Sequence, residues 1–370
     1  MFKLIAEENG ARTGELKTAH GTIRTPAFIP VATKATVKPL NNEELREPRT
    51  DTILANAFHL YITAFEAIRE SGGLHKFMNW KEKIFTDSGG FQIIRKDFRF
   101  RITDNGIEYR DPKNGRKETY TPELCMKIQN ELDSDVAMVL DHCPPHNATR
   151  EEVIEATNRT TRWAERSKEA HNPKREQQLF AIIQGGTDPK LRERNTHELT
   201  KIEFDGYAIG GLSIGEPKEL MQQTLNHTTP LLPSEKPRYL MGVGSTPELL
   251  NAIATGIDIF DSTYPTRNAR HGSIATRDKR INITRQRYRD DLRPLEEDCT
   301  CYTCQNHTRA YLHHLFKQKE PLAQRLATIH NIHHTQRLMH KIQTAIEEGW
   351  FQKLREEILQ EELRNTCRRP

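Results

Sequence analysis

Short apolar runs alternate with longer segments of mixed polarity along most of the chain. The runs are Thr52 to Ala55, Ile84 to Thr86, Val136 to Leu140, Leu179 to Ile183, Tyr207 to Ile209, Tyr239 to Val243 and Ile257 to Phe260. Each is too short for a buried helix and stops at a polar residue or glycine: Asn56, Asp87, Asp141, Gln184, Gly210 with Gly211, Gly244 and Asp261. Buried parallel strands have this pattern. Between them, Pro122 to Leu132, Arg150 to Ala170 and Pro189 to Lys201 carry apolar residues at helical spacing. Seven strands alternating with helices, and an eighth expected within Gly272 to Ile283, predict an α/β chain closed into a (β/α)8 TIM barrel over residues 51–293.

The flanks read differently. Leu16 to Thr18 and Ile23 to Ala27, separated by Ala19 to Thr22, suggest a hairpin in an N-terminal extension (1–50) that caps the bottom of the barrel. Three cysteines sit within 294–335, expected to be a metal-binding subdomain, and 336–370 is expected to be a C-terminal helical segment. Helix-forming sequence runs from Arg309 to Phe316 and from Leu322 to Glu361.

Active sites of such barrels form at the C-terminal ends of the strands. Asp87, Asp141, Gln184 and Asp261 are therefore expected to converge on one rim. Any one of them alone reads equally well as a helix cap or turn residue.

Composition changes the picture only where it is uneven. With 35% hydrophobic and 29% charged residues in 370, the chain is expected to be globular. No stretch approaches the ~18 apolar residues of a membrane span, and Met1 to Gly10 has no secretory h-region, so a cytoplasmic location is expected. The net charge of +4 says little. Between Tyr264 and Arg293, however, nine basic residues (Arg267, Arg270, Arg277, Lys279, Arg280, Arg285, Arg287, Arg289 and Arg293) face three acids, Asp278, Asp290 and Asp291. That excess suits phosphate contacts, and equally a solvated basic surface.

Of six cysteines, Cys125, Cys143 and Cys367 stand alone, whereas Cys299-x-Cys301-x-x-Cys304 can grip one ion. Thiolates at this density select zinc in a reducing compartment. His330 is a candidate fourth ligand, with His307, His313 and His314 as local alternatives, while His333 and His334 are expected at the surface. A closed set of four would make the ion structural.

Two segments carry candidate chemistry. In Thr86-Asp87-Ser88-Gly89-Gly90-Phe91-Gln92, paired glycines let the backbone approach a flat ligand and Phe91 offers a stacking face. In Phe260-Asp261-Ser262-Thr263-Tyr264-Pro265-Thr266-Arg267-Asn268-Ala269-Arg270, a carboxylate is followed by two arginines able to hold phosphates. One carboxylate for a sugar and one proton donor for a base would suit displacement at a glycosidic carbon. No Walker motif or dinucleotide fingerprint is present.

Across nearly its whole length the sequence resembles the tRNA-guanine transglycosylases, or queuine tRNA-ribosyltransferases, of bacterial type. The resemblance rests on Asp87 to Gln92, Gly206 to Glu216, Tyr239 to Gly244, Pro265-Thr266-Arg267, and the three cysteines with His330-Asn331. It implies exchange of guanine at the tRNA wobble position for a 7-deazaguanine through a covalent ribosyl-aspartate, in queuosine biosynthesis. It implies Asp261 as nucleophile and Asp87 as general acid/base. Asp141, Gln184 and the Gly211 backbone would read the base edge, the Leu212 carbonyl would lie near its substituent, and Phe91 and Met241 would sandwich the ring. Thr266, Arg267, Asn268, Ala269 and Arg270 would contact RNA beside the target base. Cys299, Cys301, Cys304 and His330 would hold one structural Zn2+ per subunit of a homodimer bound to the anticodon loop of GUN tRNAs.

Cys143 with Ile214 resembles the type that uses preQ1, with queuine as second choice. His142, where bacterial members usually carry Glu, and Ser262-Thr263-Tyr264 depart from the family pattern. A DNA-directed deazaguanine transglycosylase and a non-catalytic tRNA-binding partner subunit are the alternatives.

Overall fold

The computed structural model describes the chain apart from residues 96–99, 174–175, 278 and 368–370. Asp278 of the basic run and the side chain of Cys367 lie outside the described residues.

Eight parallel strands form the centre: β1 (Ala27–Pro30), β2 (Thr52–Asn56), β3 (Lys83–Asp87), β4 (Val136–Met138), β5 (Gln178–Ile183), β6 (Gly206–Ile209), β7 (Arg238–Leu240) and β8 (Ile259–Ser262). Each pairs with its neighbour in chain order, and β8 returns to β1. A parallel bridge from Val31 to Leu54 joins β1 to β2 and closes the barrel. Nearly every strand residue is buried, which is why the strands read as short unbroken apolar runs. Inside, the rings of Phe85 (β3), Phe180 (β5) and Tyr239 (β7) meet edge to face, with centroids 5.9 and 6.2 Å from Phe85. They form one interior layer supplied by alternate strands, as barrel packing requires.

The structure moves the expected boundaries at both ends. The eighth strand is β1, inside the segment expected to be an extension, whereas Ser273–Ala275 and Arg280–Asn282 form a separate antiparallel hairpin. Ala27–Pro30 lies in the apolar stretch Pro26 to Ala32, whose two prolines read as a loop and not as a central strand, and Ser273–Ala275 alternates in burial as an exposed hairpin does. Ahead of β1, Phe2–Glu8, Ala11–Thr18 and Gly21–Thr25 make a three-stranded antiparallel sheet. The side-chain amide of Gln178, at the start of β5, donates to the Lys17 carbonyl (2.6 Å), which seats this sheet against the bottom of the barrel. At the other end, the helix Pro321–Glu347 runs unbroken across residue 335, so no boundary falls there. It supplies buried residues to the core along most of its length. No helix among the described residues is long and apolar enough to cross a membrane.

Candidate active site

The chain leaves β3 at Asp87 and turns at once through Ser88 and Gly89. Gly89 has φ +87°, and a Cβ there would lie 2.3 Å from Cβ of Phe58, so only glycine fits this turn. Asp87 is buried and its Oδ2 accepts from the side-chain amides of Gln92 (2.8 Å) and Asn56 (3.2 Å). Burial raises its carboxyl above the ordinary range; the amide and backbone N–H donors only partly offset this.

Asp261, in β8, is held from β7. Tyr239 donates its hydroxyl to Asp261 Oδ1 at 2.6 Å and the Gly242 N–H donates to the same oxygen at 2.9 Å. Burial pushes Asp261 up to about 6, the two donors hold it down, and the negative charge of Asp87 adds to the rise. Asp141 follows β4 and accepts from Nε2 of Gln184 at 2.7 Å. Burial, and again the charge of Asp87, push it up to about 7. Asp87 thus acts on both of the other carboxylates at the C-terminal rim, where their strand-end positions put them. A site of this kind can keep one carboxylate ionised and another protonated near neutral pH.

Beside Asp141 lies a cavity of about 200 Å³ whose lining includes Gln184, Gly185, Gly186, Gly211, Ile214 and Pro144. Gly211 has φ +69°, and a Cβ there would stand 2.5 Å from Gln184 Oε1. Below it, Arg192 is fully buried and donates to the carbonyls of Ile183, Gly186 and Gly210. Three backbone acceptors are gathered by one guanidinium, which fixes the loops after β5 and β6. Cys143 and Leu212 are buried, whereas Phe91 and Met241 are half-buried.

Thr266 to Arg270 lies on the short helix Tyr264–Arg270 that follows β8. Thr266 and Ala269 are buried, Arg267 is exposed, and Arg270 donates to the Lys38 carbonyl. Of the remaining basic run, Lys279, Arg285, Arg287 and Arg289 are exposed. Arg293 pairs with Asp291, and Arg280 lies over the Tyr264 ring.

The cysteines and His330 form a buried group that can hold a metal ion. The sulfurs of Cys299, Cys301 and Cys304 lie 3.7, 3.5 and 3.3 Å from Nδ1 of His330. Zinc–sulfur bonds near 2.3 Å and zinc–nitrogen bonds near 2.1 Å set a tetrahedral S···N edge of about 3.6 Å, so the group fits that ion. His330 Nε2 lies 2.7 Å from the Ala275 carbonyl, which leaves Nδ1 as the bare ligand nitrogen. Neighbouring Asn331 donates to the carbonyls of Pro265 and Ser273 and accepts from the Ala275 N–H. The metal group is thereby tied to the arginine helix. His313 instead faces the Ile283 carbonyl, His307 stacks on Tyr311 and His314 is exposed, so none of the three local alternatives joins the group. His333 and His334, expected at the surface, are half-buried on the helix Pro321–Glu347, with His333 Nε2 3.4 Å from Thr300 Oγ1 and His334 Nδ1 3.8 Å from Glu296.

The family model described as queuine tRNA-ribosyltransferase matches residues 7–364. The chain belongs to the queuine tRNA-ribosyltransferase family. Relatives carrying that name are 48% identical in Pelotomaculum thermopropionicum over 354 residues, covering 95% of each chain. The relative from Lysinibacillus sphaericus is 46% identical, covering 96% of this chain and 93% of its own. One from Staphylococcus aureus is 47% identical, covering 96% and 94%. The family consists of tRNA-guanine transglycosylases, which are pentosyltransferases.

Within this family scaffold, His142 takes part in a local polar network. Its backbone N–H donates to Thr160 Oγ1, and its Nδ1 accepts from the Arg159 guanidinium at 3.0 Å. Burial and that positive charge hold the imidazole down at about 4, so it is neutral and an acceptor. Ser262 packs beneath Gly244, where a Cβ on the glycine would meet it at 2.6 Å. Sequence reasoning missed Asn56, Tyr239 and Arg192 as parts of the site. Asn56 ends an apolar run just as Asp87 does, a usable signal. Tyr239 and Arg192 sit inside a strand and a helix, where nothing local marks them.

Proposed function

We propose that the chain catalyses base exchange in tRNA, replacing guanine at the wobble position of GUN anticodons by a 7-deazaguanine, in queuosine synthesis. The observation that carries this reading is the buried pair Asp87 and Asp261, with Asp261 gripped by Tyr239 and Gly242.

An Asp261 value of about 6 leaves that carboxylate ionised at neutral pH, ready to attack C1′ of the ribose. The C1′–N9 bond breaks as the C1′–O bond forms, and Asp87, whose carboxyl burial raises, gives its proton to the departing guanine. The ribosyl ester then meets an incoming deazaguanine. Asp87 takes that base's N9 proton, the new C1′–N9 bond forms and Asp261 is released. One glycosidic bond replaces another, so neither ATP nor a redox cofactor is required.

Asp141, Gln184 and the Gly211 N–H would read the guanine-like edge. Gln184 Oε1 is buried without a hydrogen-bond partner, and it faces Gly211. Leu212 would offer its carbonyl to the base substituent, with Phe91 and Met241 against the ring faces. Ile214 lines the cavity beside Gln184. Its bulk, with Cys143, favours the small aminomethyl base preQ1 over queuine. Arg267, Asn268 and Arg270, on a helix whose Thr266 and Ala269 pack inward, would hold the flanking phosphates. Cys299, Cys301, Cys304 and His330 would bind a structural Zn2+, which supplies cross-linking of the C-terminal region and no chemistry at C1′. A cytoplasmic homodimer joined through the metal-side region completes the proposal.

The test is incorporation of labelled guanine into unmodified GUN tRNA by wild type and by Asp261→Asn. Incorporation by wild type alone supports the reading, and competition with preQ1 and queuine then assigns the base. Failure of the folded, zinc-loaded wild type on tRNA, with activity on a DNA duplex, would move the reaction to DNA. Tight tRNA binding with no exchange would make the chain a non-catalytic partner.

A further inference from the structure

Arg192 lies in the first turn of the helix Pro189–Ile202, which follows β5, and it is fully buried. Among the described residues no carboxylate is within ion-pair reach of it, whereas buried Arg12 is paired with Asp258. The helix cap, Asp188, accepts from the Lys190 and Leu191 N–H groups and from Arg150, not from Arg192. A helix N-terminus is the positive end of its dipole and disfavours a cation. Burial without a counter-ion disfavours it further. Burial pulls the guanidinium down to about 10, with Cys143 and Glu216 opposing, so it is fully charged at neutral pH. A charge kept at such cost in a buried place calls for a use.

Its donors go to backbone carbonyls only: Nε to Gly186 at 2.8 Å, Nη1 to Ile183 at 2.8 Å and Nη2 to Gly210 at 2.7 Å. The Gly210 carbonyl and the Gly211 N–H belong to one peptide unit. That peptide is trans, so the two groups point in opposite directions. With the carbonyl turned onto the buried guanidinium, the N–H is turned away from it, where Gly211 lines the cavity beside Gln184. The Gly211 N–H has no acceptor within the protein among the described residues. Gly210 is fixed from its other side, by its own N–H donating to the Ile183 carbonyl at 3.0 Å. A cation on a peptide carbonyl draws electrons toward the oxygen and makes the N–H of that peptide a stronger donor. In a buried site this polarisation is not damped by water.

On the guanine-like edge, N1–H and the exocyclic amine are donors, so O6 is the acceptor that guanine and a 7-deazaguanine share. We infer that Arg192 sets base specificity by positioning and polarising the Gly210–Gly211 peptide, so that its N–H selects a base with a 6-oxo group. The inference rests on the base-exchange reading above. Electron density spreads onto O6 as the C1′–N9 bond breaks, so the same donor strengthens toward the transition state. Only a planar guanidinium reaches three carbonyls at once; a lysine would keep the charge and lose the fork.

Binding to the free, zinc-loaded enzyme tests this with guanine and 6-thioguanine, which differ only in the atom at position 6. Sulfur there is a weak acceptor. Kd is measured by calorimetry for wild type, Arg192→Lys and Arg192→Gln, beside exchange of labelled guanine into tRNA. Arg192→Gln should lose roughly tenfold in guanine affinity and less than ~3-fold for 6-thioguanine, with Arg192→Lys between. A wild type that exchanges guanine, with both bases weakened in equal proportion in Arg192→Gln, overturns the role of Arg192 alone. A wild type that neither binds nor exchanges guanine overturns the base-exchange reading, and this inference with it. Should the variants not fold, the C6=O stretch of isotope-labelled guanine bound to wild type decides, read by infrared difference. A stretch below that of guanine in water supports the polarised donor; one at or above it overturns it.

Discussion

The hydroxyl of Tyr239 donates to Asp261 Oδ1 at 2.6 Å across the β7–β8 pair, inside the barrel mouth. The same ring completes the interior aromatic layer against Phe85, so the packing that fills the barrel also aims the donor at the carboxylate. Burial alone would push Asp261 well up; this bond and the Gly242 N–H keep it near 6. Tyr239→Phe keeps the packing and removes one donor to a charged acceptor, an interaction of about 1.5–3 kcal/mol. We expect kcat/KM for guanine exchange at pH 7 to fall roughly tenfold to a hundredfold. The acid limb of the pH profile should move upward from about 6, because the ionised form has lost its support. An unshifted limb would mean that Asp261 ionisation does not govern that limb.

Gly211→Ala tests whether the loop after β6 must be glycine. The added Cβ would meet Gln184 Oε1 at 2.5 Å, and φ is +69°. Left-handed backbone costs a non-glycine residue about 1–2 kcal/mol. We expect a lower unfolding temperature and a KM for the base raised at least ~10-fold, about 1.4 kcal/mol. An unchanged KM in a folded variant would remove Gly211 and Gln184 from base reading.

Asp141 gives a pH-dependent stability with a definite sign. Its folded value is raised to about 7 from an ordinary 3.8, so the native state holds this proton more tightly than the unfolded chain. Its stabilising contribution is complete below about pH 4 and declines as pH rises through about 7. Asp141→Asn removes that decline. Thermal unfolding should therefore show the variant gaining on wild type between pH 5 and 8, while its KM for guanine rises. A constant difference in unfolding temperature across this range would show that Asp141 is not protonated in the folded state.

Loss of the Cys3His metal should act at a distance. Asn331, beside His330, donates to the Pro265 carbonyl at the start of the helix bearing Arg267 and Arg270. Cys304→Ser, or removal by a chelator, should lower the unfolding temperature by roughly 10 °C, on a scale of about 2–4 °C per kcal/mol. KM for tRNA should rise more than KM for guanine. Equal changes in the two would leave the helix independent of the metal group.

Much of this site was legible in the chain itself. Asp87, Asp141, Gln184 and Asp261 each close an apolar run, and a run of that length buried on both faces is a parallel strand whose end must meet the rim. The cysteine spacing likewise defined a metal group, because three thiols within six residues have few other uses inside a buried core. These features are local: periodicity, strand length and ligand spacing act over a few residues.

What only the tertiary structure decided depends on which distant segments meet. The strand that closes the barrel is Ala27–Pro30 and not the Ser273–Ala275 hairpin, since closure is set by pairing with β8 and β2. The choice of His330 over His307, His313 and His314 follows from the long C-terminal helix lying against the cysteine loop. Tyr239 on Asp261, Arg192 under the loops after β5 and β6, and His20 with His75 on Asp135 join segments between 9 and 115 residues apart. Their side chains carry no distinctive local pattern. Their chemistry comes from burial, which removes water as a competing partner and leaves each group's charge to be set by the neighbours the fold supplies.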